Sequence, residues 1–157
     1  MNNASLWVSA IRLRTLPLSI SGIIVASFLA EYNGFFDWII CVFAILTTLS
    51  LQILSNLAND YGDGVKGTDN ENRIGPERAI QSGKITTLAM FNAIKINILI
   101  SIGLAFCLIF SSFNINHFTY SITFFFIGII CILAAIKYTM GNKAYGYKGL
   151  GDIFVFV

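Results

Sequence analysis

The sequence predicts an all-α, multi-pass transmembrane bundle of four complete helices and the start of a fifth. Three observations carry this expectation. Hydrophobic residues make up 56% of the chain and charged residues only 11%, less than half the roughly 25% of a soluble domain, and the mean hydropathy is +0.76. Four apolar runs interrupt the polar sequence, and crossing a bilayer takes about 17–25 residues. Basic residues also avoid alternate loops, the signature of a chain threaded back and forth through a membrane.

The first run, Leu16 to Ala30, is short, but Arg14 and Tyr32 flank it and can snorkel to the interface. Basic residues precede it, as in a secretory leader. Pro17 sits early, however, no small-x-small cleavage site precedes Glu31, and further spans follow, so it reads as a permanent helix. The second run extends from Trp38 to Asn59 and the third from Ile85 to about Phe113, interrupted by Lys95. The fourth is Phe118 to Ile136, and a fifth begins at Ile153. Cys41, Cys107 and Cys131 lie inside these runs without CxxC spacing and read as small buried hydrophobes. Lys95 lies about 16 Å along its helix from Lys84, and the expectation is that it faces the bundle interior and contacts a partner there, with contact to the substrate the alternative.

The loops orient the chain. Arg12 and Arg14 precede the first span; Lys66, Arg73, Arg78 and Lys84 join the second to the third; Lys137, Lys143 and Lys148 follow the fourth. The opposite loops, 31–37 and 111–117, hold no Lys or Arg. By the positive-inside rule this predicts a cytoplasmic (inner) membrane protein with its N-terminus inside.

The candidate site lies at the inner end of the second span, in Asn56-Leu57-Ala58-Asn59-Asp60-Tyr61-Gly62-Asp63. Asn56, Asn59, Asp60 and Asp63 are spaced i, i+3, i+4 and i+7, which places them on one helical face. Ionisable groups at a membrane edge mark a substrate or ion pathway by default. Acid and amide oxygens suit a hard cation such as Mg²⁺, which often binds through one or two carboxylates plus substrate phosphates. The plainer alternative, acids that cap a helix and open a wet loop, explains one aspartate better than this register of four. Asp60, Asp63, Asp69, Glu71 and Glu77 all crowd into the connection that follows, together with its four basic residues. That connection is about 25 residues long where 2–8 would serve a hinge. Acids can hold a metal while Arg and Lys neutralise phosphate oxygens, so the mixture suits a metal–diphosphate site.

Asn59-Asp60-Tyr61-Gly62-Asp63, Lys66-Gly67-Thr68-Asp69 and Arg73-Ile74-Gly75-Pro76-Glu77-Arg78-Ala79-Ile80-Gln81-Ser82-Gly83 together resemble the first aspartate-rich region of the UbiA-type intramembrane prenyltransferases. Within that superfamily they are most similar to the branch that prenylates 1,4-dihydroxy-2-naphthoate in menaquinone synthesis. Leu13-Arg14-Thr15-Leu16-Pro17, Tyr138-Thr139 and Tyr147-Lys148-Gly149-Leu150-Gly151-Asp152 resemble flanking segments of the same branch. Two segments depart from the pattern. Gly67 stands where an aspartate is usual, with Asp69 two residues later, and Met140 and Asn142 stand where Gly and Pro are usual.

The resemblance implies a Mg²⁺-dependent transferase. Asn59, Asp60, Asp63 and Asp69 would be the metal ligands, with Asp60 and Asp63 the catalytic pair. Lys66, Arg73 and Arg78, with Arg14 a weaker candidate, would hold the diphosphate of a polyprenyl diphosphate. Ionisation of the allylic C–O bond would let a ring carbon of 1,4-dihydroxy-2-naphthoate capture the prenyl cation as the ring carboxylate leaves as CO₂. Tyr138, Lys143 and Tyr147 are weaker candidates for orienting that aromatic acceptor. The lipid bilayer would hold the polyprenyl tail, and no nucleic-acid partner is expected.

The family resembles a nine-helix bundle with a second aspartate-rich loop in its C-terminal half. The expectation is therefore that residues 1–157 form the N-terminal part of one domain, inactive alone, which associates with itself or with a missing C-terminal half. Another aromatic acceptor is an open alternative, as is a membrane carrier with a cation site. A carrier would place acids in mid-helix rather than at a helix end. A CDP-alcohol phosphotransferase fits less well, since Asp63-Gly64-Val65-Lys66 does not continue as that family's Asp-Gly-x-x-Ala-Arg.

Overall fold

A computed structural model describes residues 3–68, 78–113, 117–151 and 153. Every regular element in them is helical. A short helix α1 (Asn3–Ile11) leads through a 3-10 turn (Leu13–Thr15) into α2 (Leu16–Tyr32), followed by α3 (Trp38–Lys66), α4 (Thr87–Ser112) and α5 (Phe118–Lys137). A second 3-10 turn covers Tyr145–Lys148. Four stretches are long and apolar enough to cross a membrane, one of them joining α1 to α2.

Helix α1 was not expected. Its apolar side, Leu6, Trp7 and Ala10, packs on the core. Arg12 ends it by adopting φ 58°, ψ 63°, a left-handed conformation that non-glycine residues rarely take. Thr15 holds this corner, its N–H and Oγ1 both donating to the Arg12 carbonyl at 2.9 Å. Pro17 then falls in the first turn of α2, where its missing N–H has no helical partner to lose.

At the far end of α2, Asp37 caps α3. Its Oδ1 accepts from the Ile39 and Ile40 N–H groups at 2.7 and 3.1 Å, satisfying two donors of the first turn. Helix α3 has 29 residues and so spans about 43 Å, well beyond a hydrocarbon core of about 30 Å. The surplus carries the aspartate motif. It ends at Gly67, which has φ 70°, and the Thr68 N–H reaches back to the Asp63 carbonyl at 3.1 Å, a Schellman-type stop.

Helix α3 is the hub and contacts α1, α2, α4 and α5. Leu54, Leu57, Met90, Ile94 and Ile132 form the core with Ala10 and Ile85, toward the aspartate-bearing end. Deeper in the span, Ser50 and Ser101 share a buried hydrogen bond of 2.7 Å between α3 and α4; small polar residues are common where membrane helices approach closely. Much of the remaining apolar surface, including Val25, Leu99, Phe106 and Ile130, is exposed, as befits helices bathed in lipid.

Two expectations are corrected here. Lys95 does not face the interior of the described bundle: it is exposed, and its Nζ lies 5.1 Å from the centre of the Phe91 ring. Met90, Ile94 and Ser101 occupy the buried register of α4. The lysine stem instead leans one turn back toward the helix start, the direction helical side chains favour. The cysteines are not the buried hydrophobes expected: Cys41 and Cys107 are half-buried and Cys131 is exposed, Ile132 being the buried residue of α5.

Candidate functional site

The four residues expected on one face of α3 do lie on one helix, yet the surrounding segments give them different work. Asn56 is buried, and its Nδ2 donates to the Ile11 carbonyl at 2.8 Å and to Thr15 Oγ1 at 3.1 Å. It ties the N-terminal corner to α3. Asp60 is 2% exposed. Its Oδ2 accepts from the Ala79 N–H at 3.2 Å and its Oδ1 from the Ile80 N–H at 3.3 Å. A buried carboxylate needs such charge-assisted bonds, and these fasten the turn after α3 under the helix end. Gly64 makes room for that turn: a Cβ there would collide with Ile80.

Asn59, Asp63 and Lys66 turn instead toward the segment after α5. Thr139 Oγ1 donates to the Ala58 carbonyl at 2.9 Å and to Asn59 Oδ1 at 3.2 Å. The Lys66 ammonium donates to the Thr139 carbonyl at 3.0 Å and rides 4.0 Å above the Tyr147 ring. The Tyr147 hydroxyl donates to Asp63 Oδ1, which also accepts from Thr68 Oγ1 at 3.4 Å. Asp63 is half-buried, so its carboxylate remains within reach of solvent. Among the described residues, no group of three or more His, Cys, Asp or Glu gathers around one point that would hold a metal.

The structure therefore brings Asn59, Asp60, Asp63, Lys66 and Tyr147 together at one helix end. Arg78 is half-buried in the turn that Asp60 fastens, its N–H donating to Gln81 Oε1 at 3.3 Å. Arg14 is exposed in the 3-10 turn that Asn56 anchors. Tyr138 packs edge-on against Tyr145 at 5.4 Å, and its carbonyl accepts from the Gly146 N–H at 2.9 Å. It builds the loop, whereas Lys143 is exposed on it. Asp69 and Arg73 lie outside the described residues. Tyr145 donates its hydroxyl to the Ala134 carbonyl at 2.8 Å. Burial, aided by Tyr138, pushes that phenol above its ordinary value of 10.

Two contributors entered the sequence reading only as parts of longer segments. Thr139 bridges α3 to the post-α5 loop from a position 80 residues along the chain from Asn59. Gly62 admits it: a Cβ there would stand 2.6 Å from Thr139 Cβ and 2.7 Å from its backbone carbon and oxygen. The glycine inside a helical motif was the available signal, since such glycines mark close backbone approach.

A bundle of four helices long and apolar enough to cross a membrane, with carboxylates, an amide and a lysine gathered at one helix end, defines a multi-pass membrane protein. Residues 19–157 match the UbiA prenyltransferase family, and the chain belongs to that family. It is 45% identical over 153 residues to the 1,4-dihydroxy-2-naphthoate octaprenyltransferase of Escherichia coli (strain K12), covering 96% of this chain and 48% of that protein. The protein of the same description from Haemophilus influenzae is 42% identical over 97% of this chain and 49% of its own length. That from Mycobacterium tuberculosis is 34% identical over 96% and 49%. The chain thus spans about half the length of the curated relatives it matches. No solved structure matches it significantly.

Proposed function

We propose that this chain supplies the first aspartate-rich motif of an enzyme that transfers a polyprenyl group from polyprenyl diphosphate to 1,4-dihydroxy-2-naphthoate, with loss of CO₂, in menaquinone synthesis. One observation carries this reading: 45% identity over 96% of the chain to a relative of that description, across a helix end that gathers Asn59, Asp60, Asp63 and Lys66.

The donor set fits Mg²⁺. Asn59 and Asp63 offer hard oxygen atoms one turn apart, while both oxygens of Asp60 already accept backbone N–H bonds. Mg²⁺ commonly takes one or two carboxylates and fills its remaining positions with water and substrate phosphate, so Asp63 and Asn59 would hold it, with Asp69 as the further candidate. Bound there, the ion would offset the charge of the diphosphate leaving group.

The chain's own residues do the rest. Lys66 sits beside Asp63 with an ammonium that now donates to a backbone carbonyl; a phosphate oxygen is a stronger acceptor for it. Arg78, on the turn held by Asp60, and Arg73 would neutralise further oxygens. Tyr147, through its hydroxyl on Asp63, orients that carboxylate. The polyprenyl tail is as apolar as lipid and stays in the bilayer, so no transfer of it into water is needed. The positive-inside pattern supports a cytoplasmic position for this end, in the inner membrane.

The test is turnover by the complete enzyme containing this chain, given octaprenyl diphosphate, Mg²⁺ and 1,4-dihydroxy-2-naphthoate isotopically labelled in its carboxylate. Prenylated quinol with release of labelled CO₂ is expected. Retention of the label, or no consumption of the naphthoate, would overturn the acceptor assignment.

A further inference from the structure

We propose that the cleft between α2 and α3, at the opposite end from the aspartates, binds the ammonium headgroup of a phospholipid. Ile24, Ser27, Phe28 and Glu31 line one wall, a single helical face by their i, i+3, i+4, i+7 spacing. Phe36 and Trp38 form the other wall of a cavity of about 340 Å³, of the size that ligand sites have. Ser27 Oγ donates to Cys41 Sγ at 3.3 Å across the floor, and the rings of Phe36 and Trp38 meet edge to face at 4.9 Å.

The chemistry of the walls selects the ligand. Glu31 is exposed, and among the described residues no hydrogen bond or ion pair reaches its carboxylate. The loops at this end, 31–37 and 111–117, contain no Lys or Arg. Asp37, the other acid there, is occupied in capping α3. Among the described residues at this end, none offers Glu31 a positive charge. Glu31 shares the cleft with Phe28, Phe36 and Trp38, and a carboxylate in aromatic company suits an organic ammonium, which aromatic faces attract. Below the carboxylate the wall turns apolar at Phe28 and Ile24, a surface for an acyl chain rather than for a soluble amine. Trp38 stands at the start of its span, the depth at which tryptophan meets lipid headgroups. The ligand these features describe is an aminophospholipid.

The experiment uses Trp38 as reporter. Residues 1–157 hold two tryptophans, Trp7 and Trp38; Trp7→Phe, with any tryptophan beyond these residues also replaced by Phe, leaves Trp38 as the one reporter. The protein is placed in phosphatidylglycerol bilayers and titrated with phosphatidylethanolamine brominated high on its acyl chains, against phosphatidylglycerol brominated at the same positions. Trp38 fluorescence should be quenched at about a fivefold lower fraction of the ethanolamine lipid, the scale of one exposed cation–π contact. Glu31→Gln should remove that preference and Glu31→Asp should keep it. Equal quenching by the two lipids in the parent protein, or an undiminished preference in Glu31→Gln, overturns the proposal. Protection of Trp38 by millimolar free ethanolamine would assign the cleft to soluble amines and overturn the lipid assignment.

Discussion

Gly62→Ala is expected to loosen the aspartate-bearing end of the bundle although it adds a single methyl group. The new Cβ would lie 2.6 Å from Thr139 Cβ and 2.7 Å from the Thr139 carbonyl carbon and oxygen. Unbonded carbons settle at about 3.5–4.0 Å, so α3 and the loop must part by about 1 Å, and two of the three offending atoms are backbone. Overpacking of this kind costs about 1–3 kcal/mol. The same movement stretches the 2.9 Å bond from Thr139 to the Ala58 carbonyl and the 3.0 Å bond from Lys66 to the Thr139 carbonyl beyond hydrogen-bonding range, a loss of about 0.5–1.5 kcal/mol each. Alanine's better helix propensity returns about 1 kcal/mol. The balance is a destabilisation of about 1–5 kcal/mol. Gly103→Ala is the matched control: Gly103 is also inside a helix, and a methyl group there would meet nothing within 4 Å, so the change should be neutral or stabilising by up to about 1 kcal/mol. Unfolding of the purified protein in mixed micelles by SDS titration, followed by far-ultraviolet circular dichroism, separates the two. Equal midpoints for both variants would refute the close approach of α3 and Thr139.

Further outcomes follow from the same geometry. Asp60→Asn should destabilise the fold by about 1–3 kcal/mol, because an amide N–H₂ would confront one of two buried N–H donors. Asp63→Asn should alter stability by less than about 0.5 kcal/mol yet abolish prenyl transfer by the complete enzyme; near-normal turnover would remove Asp63 from the metal assignment. With the three native cysteines replaced, a cysteine at Asn33 should react with an impermeant thiol reagent added outside the cytoplasmic membrane, and one at Lys143 should not. The reverse pattern would invert the orientation. In a double-mutant cycle, Ser50→Ala and Ser101→Ala should show a coupling of about 0.6 kcal/mol, the mean for hydrogen bonds between membrane helices, and none if the two hydroxyls are apart.

Helix existence and spacing were legible in the chain itself. Lipid demands that every spanning segment satisfy its own backbone, so α2 to α5 begin and end within a few residues of the apolar runs, apart from the polar extension of α3. That extension was legible too, because Asn56, Asn59, Asp60 and Asp63 repeat with a helical period. Resemblance through the aspartate motif identified the family. Periodicity, however, fixes only the direction in which a side chain leaves its helix. What waits in that direction is set by segments far along the chain: the Ile11 carbonyl for Asn56, the Ala79 and Ile80 amides for Asp60, Thr139 for Asn59 and Tyr147 for Asp63. Four residues alike in sequence thus meet four different partners, with Asn56 and Asp60 buried and Asn59 and Asp63 half-buried. Lys95 and helix α1 were missed for the same reason. The choice between the two sides of α4 and the docking of Leu6, Trp7 and Ala10 depend on contacts with α3 that only the folded arrangement creates.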